Sequence, residues 1–104
     1  MKKTVLKFID EFTNKGRWPQ VIESFTSGNC YWFAYILKAR FPEGEIVYDE
    51  IINHFGFLLE NTVYDVTGIV TDKYNWKNWK DVYYRDRLHG RRIVRDCILK
   101  ETNR

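Results

Sequence analysis

Three residues of this chain have the types and spacing of a nucleophilic site: Cys30, His54 and Asp65. Cys30 follows Ser27-Gly28-Asn29, a turn and N-cap composition. It opens a run in which Cys30, Phe33, Ala34, Leu37 and Phe41 recur at helical spacing until Pro42 and Gly44 stop it. A thiol in the first turn of a helix sits beside unpaired backbone N–H groups and the positive end of the helix dipole, which favour thiolate, the nucleophilic form. A buried cysteine with no partner is more often an inert apolar side chain, so the reading depends on what stands near it.

The partners come from the strands downstream. His54-Phe55-Gly56-Phe57-Leu58-Leu59 and Thr62-Val63-Tyr64-Asp65-Val66-Thr67 are two β-forming runs separated by Glu60-Asn61. A two-residue hairpin loop pairs Leu59 with Thr62, which puts His54 opposite Thr67 and Gly56 opposite Asp65. His54 and Asp65 then share a face as diagonal neighbours. The acid fixes the imidazole tautomer, and a helix packed on that face brings Cys30 to the other ring nitrogen. A three-residue loop would put Asp65 on the opposite face. Singly, His54 reads as a rim histidine and Asp65 as a turn acid. Together with Cys30 they read as a triad of nucleophile, general base and orienting acid, because acids are seldom turned toward a core without a partner.

The elements that must position them follow from periodicity. Val5, Phe8, Ile9 and Phe12 predict an amphipathic helix over 3–14, ended by Gly16, and Trp18-Pro19 opens a short second helix with Val21, Ile22 and Phe25 on its apolar side. In the third helix Trp32, Ile36 and Ala39 add a second apolar stripe, which predicts a central helix covered over most of its circumference. Ile46, Val47 and Tyr48 supply another strand, for an antiparallel meander of three. Residues 72–84, with Trp76, Trp79, Val82 and Tyr83, read as a short helix or aromatic loop. Residues 86–101 read as a last helix with Ile93, Val94, Cys97 and Ile98 as its core stripe and His89 at the surface beside a turn at Gly90. The expected fold is α+β: N-terminal helices, including the Cys-bearing one, packed on a small three-stranded antiparallel sheet, with a C-terminal helix.

At 104 residues the chain holds one core and reads as a single domain, 1–104. Its 44% apolar and 17% aromatic content excludes a disordered class, and a net charge of +3 is too mild to argue for nucleic acid. Cys30 and Cys97 are too few for a secreted disulfide framework and lack metal-ligand spacing, so both are expected to be reduced, in a cytoplasmic protein. Lys7, Asp10 and Glu11 interrupt the start before it can form a signal peptide, and no apolar run is long enough to span a membrane. No metal or cofactor motif is expected.

Gly28-Asn29-Cys30-Tyr31 followed by Phe33-Ala34 resembles the papain-type cysteine helix, with Asn29 where that signature has a small residue. The order Cys, His, Asp on helix, strand and next strand is similar to the wider papain-like superfamily, in particular transglutaminase-like and cell-wall-peptidase-like domains. The style of the chain also resembles small uncharacterised proteins of phages and prophages. The resemblance covers 27–67 and is to a minimal core, His54 following Cys30 much sooner than in papain itself. It implies a cysteine hydrolase or acyltransferase of peptidase, amidase or deamidase type acting on a peptide or protein. The backbone N–H of Cys30 and an upstream amide, Gln20 or Asn29, are then the oxyanion donors. Trp18, Gln20, Asn29, Tyr31 and Asn53 are expected to wall a shallow cleft, with no insertion long enough for a deep pocket. A different class fits the same size: a phage-encoded binding protein that inhibits or redirects a host protein, using the core as a scaffold and the aromatic, arginine-rich C-terminal third as its surface. The same residue types suit nucleic acid, the less favoured partner, since arginines on one helix face are usually a solvated face and no known motif accompanies them.

Overall fold

The computed structural model describes residues 1–27 and 29–102, with side chains up to residue 95 other than that of Ser27. Three helices come first, α1 (Lys2–Thr13), α2 (Pro19–Ser27) and α3 (Cys30–Arg40). The strands β1 (Glu45–Asp49), β2 (His54–Leu59), β3 (Thr62–Asp65), β4 (Gly68–Ile69) and β5 (Lys77–Asn78) follow, and α4 (Trp79–Arg85) and α5 (Arg87–Thr102) close the order. The strands form one antiparallel sheet in the order β4-β3-β2-β1-β5. The class is the expected α+β, with five strands in place of three. The meander β1-β2-β3 is extended at each edge by a two-residue strand, too short to leave a periodic signal.

Local chemistry explains most of the boundaries. α1 ends at Asn14 and not at Gly16: Asn14 is left-handed at φ 52°, and its N–H returns to the carbonyls of Asp10 and Glu11, a conformation asparagine tolerates. Pro19 is the first residue of α2, where a missing N–H leaves no bond unmade. In α3 the stripe of Cys30, Phe33, Ala34 and Leu37 is buried, and Phe41 continues it. The second stripe is not: Trp32 is 38% exposed and Ala39 is exposed, so α3 is one-faced and not the enclosed helix that two stripes predict. Its outer rings cover one another instead, Tyr31 contacting Trp32 at 5.6 Å and Trp32 contacting Tyr35 at 5.9 Å.

Alternation along β2 makes the two faces of the sheet different. Phe55, Phe57 and Leu59 pack with Tyr48 and Tyr64 toward α3, where Val5, Ile9, Phe33 and Leu37 complete the core. Leu58, with Val47, Val63 and Val70, faces the other way, under Tyr74 and Trp76 from the β4–β5 connection. Gly56 lets that cover close, since a Cβ there would meet Val63 and the Trp76 ring at 2.9 Å. Glu60 and Asn61, both left-handed at φ 51° and 64°, make the two-residue turn, and Leu59 pairs with Thr62. Gly90 lies inside α5 and not at a turn, and its missing side chain makes room for Tyr83, which a Cβ there would meet at 2.6 Å. Ile93 is buried as expected, whereas Gly28 and the side chains of Cys97 and Ile98 lie outside the described residues. Among the described residues no helix is long and apolar enough to cross a membrane.

The buried stripe of α3 should dominate stability. Phe33→Ala, which removes a ring 5.0 Å from Phe12 and 5.7 Å from Phe25, is expected to cost about 3–5 kcal/mol in urea unfolding. Ala39→Ser, on the exposed side of the same helix, is expected to cost about 0.5 kcal/mol or less.

Candidate active site

His54 opens β2 and Asp65 closes β3. Continuing the Phe57–Tyr64 pairing by one step sets Asp65 opposite Gly56, which has no side chain to stand between the acid and the histidine. His54 Nε2 and Asp65 Oδ2 are 2.9 Å apart, and both side chains are buried. The other carboxylate oxygen accepts from the Thr67 N–H at 2.8 Å and from the Thr67 hydroxyl, so both oxygens have partners. Tyr74 and Trp76 lie against the imidazole at 5.1 and 5.9 Å between ring centres. These rings keep water from the pair and put His54 on the side of the sheet that Trp76 covers.

Cys30, 5% exposed, is a hydrogen-bond and charge partner of the same imidazole. With Nε2 given to Asp65, Nδ1 is the ring nitrogen left for the sulfur. The route differs from the expected one. α3 packs on the Phe55 and Phe57 face, not on the face of His54, so the thiol does not approach across the sheet. Cys30 and His54 are the first residues of α3 and β2, and they meet at the end of the sheet, where a ring can turn past the strand terminus. Asn29 precedes Cys30 as N-cap without a side-chain capping bond. Its Nδ2 donates to Ser24 Oγ at 3.5 Å, which leaves the first-turn amides of α3 without that cap.

Burial pulls the His54 pKa down, but hydrogen bonds to Asp65 and Cys30, and the charges of both, outweigh it and lift the pKa from 6.5 to about 9. For Asp65, burial works upward and is outweighed by His54 and Thr67, so its pKa is lowered. Asp49, opposite His54 in the β1–β2 pairing, is a second acid nearby. Burial again opposes, but N–H groups of Asn75, Ile51 and Ile52 and the charge of His54 hold its pKa down. Among the described residues no three His, Cys, Asp or Glu side chains are grouped as a metal would require.

The other expected residues are scattered. Tyr31 is half-buried against Phe55 at 5.0 Å, beside the thiol on α3. Asn53 is left-handed at φ 55° and accepts from the Tyr48 hydroxyl, which fastens the β1–β2 turn. Trp18 and Gln20 are exposed around the start of α2, and among the described residues no hydrogen bond or ring contact joins either to Cys30, His54 or Asp65. Thr67, Tyr74, Trp76 and Asp49 are additions to the expected set. The spacing of Asp65 and Thr67, an acid bonding its own backbone two residues on, is readable in sequence as a turn. Nothing local announces that Tyr74 and Trp76 fold over His54. An open cavity of about 570 Å³, walled by Tyr31, Trp79, Tyr83 and Val94, lies beside α3, away from the cleft expected between Cys30 and His54. It is built by the pairing of α4 with α5 and not by an insertion.

A pKa raised above 6.5 means that the folded state holds the His54 proton more tightly than the unfolded chain does. That stabilisation is complete below 6.5 and lost as pH rises through about 9. The Asp65 contribution is present above 3.8 and lost as pH falls through the lowered native value. The stability gap between wild type and His54→Gln, read from urea midpoints, should therefore narrow between pH 7 and pH above about 9. A gap that does not change with pH would contradict the charged imidazole.

Residues 5–94 match the model of a family described as phage YunG-like protein. No curated protein and no solved structure matches the chain. The family match runs from α1 into α5 and takes in Cys30, His54 and Asp65, well over half of the sequence, and on that ground the protein belongs to the phage YunG-like protein family.

Proposed function

We propose that the protein is a thiol-dependent hydrolase or acyltransferase of papain-like type, acting on an amide of a peptide or protein. The observation that carries the reading is one buried imidazole engaged by a carboxylate at 2.9 Å and by a thiol at a helix start. With its pKa raised to about 9, His54 is charged at neutral pH, and an imidazolium beside Cys30 favours the thiolate form of the sulfur. Sγ adds to the substrate carbonyl carbon, and the first-turn amides of α3 receive the developing oxyanion. Nδ1 of His54 protonates the departing amine, so the histidine enters as an acid. It becomes a base in the second half, when water or an acceptor amine attacks the thioester and gives its proton back to the ring. Asp65, held by Thr67, fixes the ring orientation throughout.

The exposed aromatic and basic surface of α4 and α5, with Tyr84 64% and Leu88 63% exposed, favours a second reading: a phage protein that binds a host protein, with the same core as scaffold. Retention of the full biological effect by Cys30→Ala would select that reading.

Alkylation by iodoacetamide tests the thiolate directly. Wild-type Cys30 is expected to react at pH 6 at least about tenfold faster than in His54→Ala, whose rate should rise only with the ~8.5 pKa of an ordinary thiol. Asp65→Asn should fall between them. A wild-type profile rising at the ordinary thiol pKa, or equal rates at Cys30 and Cys97, would overturn the proposal.

A further inference from the structure

We infer that the cavity between α3, α4 and α5 is a recognition site for a large apolar side chain flanked by acidic residues in a peptide, presented to Cys30. The presentation to Cys30 rests on the thiol-enzyme reading above. At about 570 Å³ the cavity lies within the range of pockets that bury small ligands, ~300–1,000 Å³. Its wall adjoins the residues that surround the thiol, although Cys30 itself does not line it. Tyr31 is the next residue on α3, and Trp79 packs in the same cluster as Cys30 and Phe55. On this inference, a peptide whose carbonyl is held at Cys30 places a neighbouring side chain in this opening.

The walls choose the chemistry. Tyr31, Trp79, Tyr83 and Val94 offer ring faces and a methyl surface, which favour an aliphatic or benzyl side chain. Among the described residues the lining has no carboxamide or carboxylate to satisfy the polar edge of a nucleobase, which argues against a nucleotide. The rim is positive. Between Trp79 and Arg95 there are six basic residues and two acidic ones. Arg85 is held by Glu50 at 3.0 Å, and Arg87 lies over the Tyr84 ring at 5.3 Å. Asp86 accepts from the His89 N–H, and Lys80 reaches Glu45 only at 3.8 Å. Arg91, on the rim, has no ion pair among the described residues. An acidic residue beside the buried side chain would give it one.

The test uses chloroacetamide and a chloroacetyl peptide carrying phenylalanine between two glutamates. With both reagents Sγ forms the C–S bond as chloride leaves. Cys30 of the wild type is expected to react with the peptide at least about tenfold faster than with chloroacetamide. Arg91→Glu and Val94→Trp should abolish that acceleration without changing the chloroacetamide rate, and lysines in place of the glutamates should abolish it too. A fast chloroacetamide reaction with no acceleration by the peptide, or an acceleration that survives Arg91→Glu, would overturn the inference and leave the thiol chemistry standing. Anisotropy of the fluorescein-labelled peptide on Cys30→Ala protein judges the cavity by itself. Saturable binding lost in Arg91→Glu supports the recognition site whatever the thiol does. No binding up to about 1 mM, or displacement by adenosine monophosphate in preference to unlabelled peptide, overturns it.

Discussion

A cation enclosed in a small protein is costly unless its charge is answered on every side, and the imidazolium of His54 imposes that condition on its surroundings. Asp65 answers one nitrogen, Cys30 is a second hydrogen-bond partner of the ring, and Asp49 adds a negative charge from the next strand. Each answer needs support of its own. Thr67 satisfies the second oxygen of Asp65. Trp76, which covers the pair, is steadied by a hydrogen bond from Nε1 to the Val70 carbonyl at 3.2 Å and fits only because residue 56 is glycine. Asp49 accepts from the Asn75 N–H at 2.8 Å, so it ties the loop that carries Tyr74 and Trp76 to the strand beside His54.

The thiol is held by different means. α3 has no side-chain cap at its start, and its position is set by rings and branched chains farther along: Phe33 between Phe12 and Phe25, and Leu37 and Phe41 in the cluster with Phe57. Hydrophobic packing thus aims a polar terminus. The helix start does without a side-chain cap because packing farther along, and not the terminus, carries its stability.

Sequence periodicity revealed the buried stripe of α3 and the register of the β2–β3 hairpin, since both depend on neighbours a few positions apart. The diagonal relation of His54 and Asp65 follows from that register alone. What periodicity could not carry was the third dimension. Trp32 and Ala39 look like a second core stripe, but whether anything covers them depends on where other helices stop. The side of the sheet taken by α3 is decided by Phe55 and Phe57, and the sheet end becomes the meeting place only because both partners are first residues of their elements. The two-residue edge strands, the folding of Tyr74 and Trp76 over His54, and the cavity made by α4 and α5 all arise from contacts distant in sequence, for which a single chain offers no local mark.

The hairpin turn at Glu60 and Asn61 has a consequence in the language of inheritance. Both turn residues are left-handed, and the loop that joins the strands is two residues long. Side chains alternate, so the tract from His54 to Asp65 works as a ruler graduated in codons. Substitutions along it, Gly56 apart, alter packing by degrees, but an in-frame gain or loss of one codon, if the strands keep their length, turns the acid to the far side of the sheet from the histidine. Lineages that keep this pair can therefore drift in letters along the tract far more freely than in length.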